Sequence, residues 1–529
     1  MNAISRYFRR GAILGVWFCT FGAGPALAQD LVAGLAASPT TTDPQFQNHG
    51  PSNGFATHLY DRLVHQDERQ RLIPGLATEW RAVDNTTWEF KLRRGVRFHD
   101  GSAFDANDVV ATLKRIPLVP NSPSSFAVFI KAITETIVVD PYTIRFKTAT
   151  PYPLLPYDLV AVSIISRKAE KATTAEFNSG AAQNGTGPFK FVSFAPGDRL
   201  VLTRNDNYWG DKPHWKQVTF RVITNNAARV AALLAGDVQL IENVPTTDIT
   251  RIEENSAFRV ERQVSNLLMY LHMDTFRDQT PFATDAQGAV LPRNPLKDLR
   301  VRRALSMAID RNAIVERIML KQAIAAGGLV PESFFGYNPN LRVDAYKPDD
   351  AKKLLAEAGY PNGFNLTIHG PNDRFLNDSR VMQTAASMFS KIGVQTKVEA
   401  MPLTAFLPPA SHPNYAYSMI LLGWNTNTGE ASSVLRGVLA TVDRDKGMGP
   451  SNRGRYSNAK LDSTLAEALA TVDNAKREAL LRDAAEIGIR DVGILPLYYE
   501  VSAWAMRRNI TYAARSDQFT MAGGVRPAP

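Results

Sequence analysis

An α/β protein of two or three domains is predicted by three features of the 529-residue sequence. Strand-type alternation and helix-type periodicity are interspersed along the chain, as in proteins whose helices cross over a sheet. The length exceeds what one hydrophobic core organises. No internal repeat or low-complexity tract divides it into small stacked units.

The amino-terminus reads as an address. Arg6, Arg9 and Arg10 supply a positive start, residues 11–28 are uncharged and largely apolar, and Ala26-Leu27-Ala28 is a small-x-small cleavage site before Gln29. The competing reading is a membrane anchor, a question raised by about 18 apolar residues. Gly22, Gly24 and Pro25 break the run, and no stop-transfer flank follows. The expectation is a cleaved signal peptide at residues 1–28 and a periplasmic mature chain. Arg9-Arg10 precedes Gly11-Ala12-Ile13, a poor match to twin-arginine export. Cys19, the single cysteine, follows Trp17 and Phe18, which are too bulky for a lipid-modification site. Cleavage leaves no cysteine, which excludes disulfides, thiol catalysis and Cys-ligated metals. It also removes three arginines, lowering the formal charge from +9 to +6. The remaining Lys and Arg are scattered among acids with no basic run, so no nucleic-acid partner is expected.

The elements follow in order. Trp88, Phe90 and Leu92 alternate as a half-buried strand. Asp105 and Asp108 form a capped helix start ahead of Val109, Val110 and Leu113. Tyr142, Ile144 and Phe146 alternate again, and Pro196-Gly197-Asp198 turns a hairpin between 189–192 and 200–202. A helix over 227–234 stops at Gly236, and 238–241 is a short buried strand. Helices are predicted over 300–308, from Asp310 to 318, from Pro348 to Gly359, and over 378–391 and 473–490. Residues 417–422 form a strand that delivers Gly423-Trp424 and a polar loop, and 493–499 form an apolar strand that returns the chain to its first domain.

Several segments carry a resemblance. Within 72–108 stand Pro74-Gly75-Leu76-Ala77, an aromatic strand, and Phe98-His99-Asp100-Gly101. GTGPFKFVSF at 185–194, NDNYWG at 205–210, AALLAGDVQL at 231–240, VRRALSMAIDRNAIV at 301–315 and AKKLLAEAGYPNGFNL at 351–366 follow. Their content and order resemble family 5 of the bacterial extracellular solute-binding proteins, the periplasmic peptide- and nickel-type components of ABC importers. The resemblance implies a two-lobed periplasmic-binding-protein fold with a hinge and an extra subdomain inserted in the first lobe. The expected division is lobe I at 29–60, 186–278 and 494–529, the inserted subdomain at 61–185, and lobe II at 279–493. It also implies a non-catalytic monomer that captures a small molecule, most simply a peptide, and delivers it to inner-membrane permease subunits. Opines, sugar conjugates, glutathione-like molecules and metal chelates are the alternative ligands. In this frame His99 and Asp100 fix a turn, and Trp88, Tyr208 and Trp209 belong to the core.

The loop from Gly423 to Glu430 holds the main site candidates. Dipeptide-binding relatives carry a Gly-Asp pair here whose carboxylate meets the ligand ammonium, and Gly429-Glu430 stands in its place. By that resemblance Glu430 is the ammonium anchor, with Trp424, Asn425, Thr428 and Gly429 around it. Phe46, Asn48 and His49 are candidates from the segment after the first strand, and Tyr270 from the 268–270 strand. Gly50-Pro51-Ser52-Asn53-Gly54 matches the Gly-x-Ser-x-Gly pattern of a hydrolase. An elbow needs an apolar strand before it and a helix after it. Residues 45–49 are polar and Pro51 suits a plain turn, so a hydrolase using Ser52 is the remote alternative. The 8 histidines show no metal-ligand spacing. No cofactor and no resident metal are expected.

Overall fold

The computed structural model describes residues 30–529; the expected signal peptide lies outside the described residues. The main sheet has 12 strands. Its path runs Ala283–Thr284, Phe364–Pro371, Met419–Asn425, Phe258–Met273, Leu495–Arg507, Leu240–Ile241, Asp30–Leu35, Gln217–Val222, Arg199–Arg204 and Phe189–Ala195. Val394–Met401 and Ala323–Ala325 pair off this path. A separate antiparallel sheet orders Ala77–Asp84, Thr87–Leu92, Thr143–Thr148 and Ile133–Asp140. The period-2 residues Phe90, Ile144 and Phe146 bury one face of it.

Hydrophobic side chains segregate along this path. One group of cores draws on residues 31–60, 165–258 and 503–525, and includes Phe189, Phe220 and Trp504. A second draws on 63–164 around the small sheet. The rest, including Phe389, Leu421 and Leu465, comes from 267–499. Two long strands join these bodies: Phe258–Met273 pairs antiparallel with Leu495–Arg507. Phe258 packs in the first group, whereas Leu267 to Met273 pack in the last. Along the partner strand, Leu497 and Tyr498 belong to the last group and Ala503 and Trp504 to the first. The packing thus changes sides near 264–267 and 499–503. At that crossing the ladder register shifts between Val264 and Leu268. A bulge re-aims backbone and side chains, and here it turns Asn266 out of the ladder.

The motif residues of the first body are stitched together locally. Asp105 caps Ala106–Arg115 in a reciprocal capping box with Asp108. His99 and Gly185 exchange hydrogen bonds, 2.8 Å from the His99 amide and 3.3 Å to its Nδ1, and His99 Nε2 lies 3.1 Å from the Gly187 carbonyl. Asp61 accepts from Thr186, Tyr208 and Trp209 at 2.7–3.0 Å. The Phe-His-Asp-Gly, Gly-Thr-Gly-Pro and Asn-Tyr-Trp segments are therefore one polar clasp around Gly185. A Cβ at Gly185 would stand 1.8 Å from the Leu59 carbonyl oxygen, so only glycine fits there.

Two local expectations differ from the structure. Residues Gly50–Leu59 form a helix with Pro51 in its first turn, where a plain turn was expected. Proline suits that position because the amide it lacks would have no helical partner. The helix expected from Asp310 through 318 is a short α-turn, Arg311–Ala313, followed by the π-turn Ile314–Ile318.

Candidate functional site

A cavity of about 640 Å³ opens where the bodies meet, within the roughly 300–1,000 Å³ of small-molecule sites. The helix Gly50–Leu59 and the strand crossing position most of it. One wall comes from the start of that helix, from Arg62 just beyond it, and from Asp517 to Thr520. Gln66, Gln70, Phe129 and Tyr157 reach in from the body of the small sheet. Asn266, Arg374, Asn425, Asn427 and Thr428 close the opposite side. The loop that carries the last two is tied across the cavity. Gln66 Nε2 donates to the Thr428 carbonyl at 3.1 Å, and Gln70 Nε2 to that of Asn427 at 2.9 Å. Gly429 makes this approach feasible: its φ is +75°, and a Cβ would lie 2.5 Å from the Gln70 carbonyl oxygen.

Four polar atoms of the lining are buried and take no hydrogen bond among the described residues: His49 Nδ1, Arg62 Nε, Gln70 Oε1 and Thr428 Oγ1. Buried polar groups are satisfied in the great majority of cases, and these four exceptions belong to residues that line one cavity.

The charged lining residues divide into two kinds. Asp517 is held by Arg515, whose Nη2 lies 2.6 Å away, and by the Phe519 amide at 3.0 Å. Glu242 accepts from the Ala36 amide at 2.9 Å and from the Thr520 hydroxyl, and burial pushes its pKa up. Both acids are thus engaged. Arg62 and Arg374 make no ion pair within 4.0 Å among the described residues, but the charges of Asp517 and Asp61 act on Arg62 and that of Glu500 on Arg374. Burial lowers the Arg62 pKa to about 10, which keeps it protonated near neutrality. Arg374 is exposed towards the cavity, 5.0 Å from the Phe375 ring. His49 is held below its usual pKa by burial and then by the charge of Arg374, so it is neutral at pH 7.

The sequence candidates fall into three places. Asn48, His49, Asn425 and Thr428 line the cavity. Gly429 sits behind it, against Gln70. Phe46, Trp424, Tyr270 and Glu430 do not line it. Phe46 is half-buried, and its carbonyl accepts from Ser122 Oγ. Trp424 stacks over Gly437, where a Cβ would meet its ring at 2.4 Å, and its Nε1 donates to Ser433 at 3.2 Å. Tyr270 is 1% exposed and belongs to a hydrophobic core with Leu422 and Phe406. Glu430 is paired with Arg477 and accepts from the Ser432 hydroxyl; its side chain is 1% exposed and that of Arg477 0%. Phe335 and Tyr157 lie 5.0 and 5.2 Å from the Arg477 guanidinium. Ser52 is buried, and its Oγ accepts from the Thr40 amide at 3.3 Å.

Sequence reasoning missed Arg62, Gln66, Gln70, Arg374 and Asn266. Only Arg374 carried a usable signal: it follows the buried strand Phe364–Pro371 by three residues, in a loop at a strand end. The other four owe their positions to the crossing strands and to the packing of the small sheet against the loop.

Joined α/β bodies with a polar-lined cavity between them suit the capture of a small molecule. The description of bacterial extracellular solute-binding proteins, family 5, matches residues 71–445, and the chain belongs to that family. Such proteins are the capture components of ABC importers. The glutathione-binding protein GsiB of Pectobacterium atrosepticum is 29% identical over 462 residues, 86% of each chain. Among solved structures, HbpA2 from Haemophilus parasuis matches with a TM-score of 0.81 at 23% identity, covering 94% of this chain and 100% of its own. The unliganded open form of the periplasmic murein tripeptide binding protein MppA matches with a TM-score of 0.80 at 22% identity, covering 95% and 98%. These structural neighbours are two-lobed periplasmic binding proteins, and the large mixed sheet described here shares that fold. Among the described residues, no helix is long and apolar enough to cross a membrane.

Proposed function

We propose that this protein captures a small peptide or peptide-like solute in the 640 Å³ cavity and hands it to the permease of an ABC importer. The observation that carries the reading is one cavity of small-molecule size whose polar lining residues come from both sides of it. The strand crossing near 264–267 and 499–503 supplies the hinge, with lobe I and the inserted subdomain on one side and lobe II on the other. A closed form is favoured only by a ligand that touches both sides. Asn48, His49, Asn425 and Thr428 are contact residues in this reading, joined by Arg62, Gln70 and Arg374. The leader exports the chain to the periplasm, where it works as a monomer. Ser52 has no catalytic role, because its hydroxyl is buried against Thr40.

Engagement of Glu430 by Arg477 favours a second reading, in which the ligand is not held by a free ammonium. The glutathione-binding relative supports a peptide-like ligand of unusual linkage. Thermal melting with pools of di-, tri- and oligopeptides and with glutathione tests the proposal. Ligand at 100 times its Kd adds about 2.7 kcal/mol, so a clear rise is expected with at least one pool. A protein stripped of bound small molecules that melts identically in all of them refutes it.

A further inference from the structure

We infer that closing the cleft takes up a proton at Asp158, whose carboxyl is buried in the seam between the body of the small sheet and the body of residues 267–499. The motion is the one proposed above for the strand crossing, so the inference depends on that reading and adds a condition to it.

One side of the seam is the short helix Leu155–Asp158. The other is the segment from Glu430 through the π-turn Leu435–Leu439, backed by the helix Asn474–Arg490. Tyr157 tilts against Phe335 with ring centroids 6.3 Å apart, and the Arg477 guanidinium lies 5.2 Å from the Tyr157 ring. Beside them, Gln66 and Gln70 reach the Thr428 and Asn427 carbonyls. Asp158 is the next residue after Tyr157 and is 9% exposed. Among the described residues its carboxyl accepts one hydrogen bond, 2.6 Å from Tyr152 Oη, and makes no ion pair within 4.0 Å.

The charged groups that face this carboxyl stand across the seam. Arg436 of the π-turn favours its ionised form, and Glu430 opposes it. Arg477 is taken by Glu430, with Glu478 beyond it on the same helix. On its own side Tyr152 and Tyr157 are pushed well above the ordinary tyrosine range by burial, so neither ionises near neutrality. Loss of water outweighs the help from Tyr152 and Arg436, and burial raises the carboxyl to about 7.

Opening the seam carries Arg436 and Glu430 away and returns the carboxyl to water, where its ordinary value is near 4. A proton favours the form that binds it more tightly, and that form is the closed one. Closure is therefore unhindered below about pH 4, grows harder as pH rises towards 7, and changes no further above that. Solute still drives the bodies together; the proton sets how much of its binding energy closure consumes.

The test uses the mature chain, which has no cysteine after Cys19, carrying Val128→Cys and Ala466→Cys. Both positions are exposed, and they lie on opposite sides of the seam. Spin labels there report the distance distribution between the two bodies. Protein stripped of small molecules is measured at pH 5 and pH 8, alone and with fixed concentrations of dipeptide and tripeptide pools and of glutathione. The ratio of short to long distances is expected to fall roughly ten- to hundredfold from pH 5 to pH 8. Asp158→Asn should keep most of the short-distance population at pH 8. Glu500 and His49 also titrate in this range or below it, and both remain in that variant, so the difference belongs to Asp158. Tyr152→Phe removes the hydrogen bond that favours the carboxylate and should move the fall to higher pH, which a loss of packing alone would not do. An equal ratio at both pH values, or a fall of the same size in Asp158→Asn, overturns the proton uptake and leaves capture standing. One unchanging distance in every pool at both pH values removes the hinge and the proton uptake together.

Discussion

Replacing Glu430 by alanine separates two roles for the carboxylate that the sequence resemblance makes a ligand anchor. Its side chain is paired with Arg477 in a site with 1% and 0% exposure. Arg477 Nε and Nη1 have no other partner among the described residues, and the Phe335 and Tyr157 rings lie 5.0 and 5.2 Å away. Glu430→Ala leaves that cation buried without a counter-charge. Breaking one half of a buried pair costs about 3–5 kcal/mol. Each kcal/mol lowers Tm by roughly 2–4 °C for a body of 150–250 residues, so a fall on the order of 10 °C is expected. The double replacement Glu430→Leu with Arg477→Met should recover most of it, because well-packed apolar side chains replace a buried pair at little cost. Calorimetry and urea unfolding read the stability, and titration with a captured ligand and its N-acetylated form reads the binding. The two forms should be affected alike. Unchanged melting together with a tenfold or greater loss confined to the free-amine form would refute the structural role.

Gly429→Ala should cost about 1–2 kcal/mol for the left-handed backbone. It should also weaken ligand binding, because the new Cβ pushes the loop off Gln70; equal Kd values by calorimetry would contradict the contact. Burial raises the pKa of Asp158 to about 7, with Tyr152 Oη donating to its carboxyl at 2.6 Å. A raised folded-state pKa gives stability that is full below the unfolded value near 4 and is lost as pH rises through 7. Urea midpoints should therefore fall between about pH 4 and 7 and level off above that. Glu500, also pushed by burial to about 7, adds the same slope. Asp158→Asn should flatten part of the decline, and a slope identical to wild type would show that Asp158 does not titrate there.

Local structure was legible wherever chemistry and sequence sit together. The capping box at Asp105, the stop at Gly236 and the alternation of Trp88, Phe90 and Leu92 all follow from neighbours within a few residues. The helix Gly50–Leu59 was misread because its polar start and Pro51 also describe a turn; only the proline position distinguishes the two. The site was harder to read, because its residues are set by distant partners. Arg477 is 47 residues from Glu430 and reads as a solvent-facing arginine on an amphipathic helix. Gln66 and Gln70 meet Thr428 and Asn427 only because the small sheet packs beside that loop. Asn48, His49, Asn425 and Thr428 were reached through the resemblance, and the cavity brings these four together with Arg62 and Arg374.

Native mass spectrometry of the protein with a solute that raises its melting temperature tests solute capture most directly. One molecule per chain is predicted, with a smaller collision cross-section in the bound form as the lobes close and weaker binding when the lining residues Asn425 and Thr428 are replaced together by alanine. Several molecules per chain, or one molecule bound equally by the Asn425→Ala, Thr428→Ala variant with no change in cross-section, would contradict capture between closing lobes.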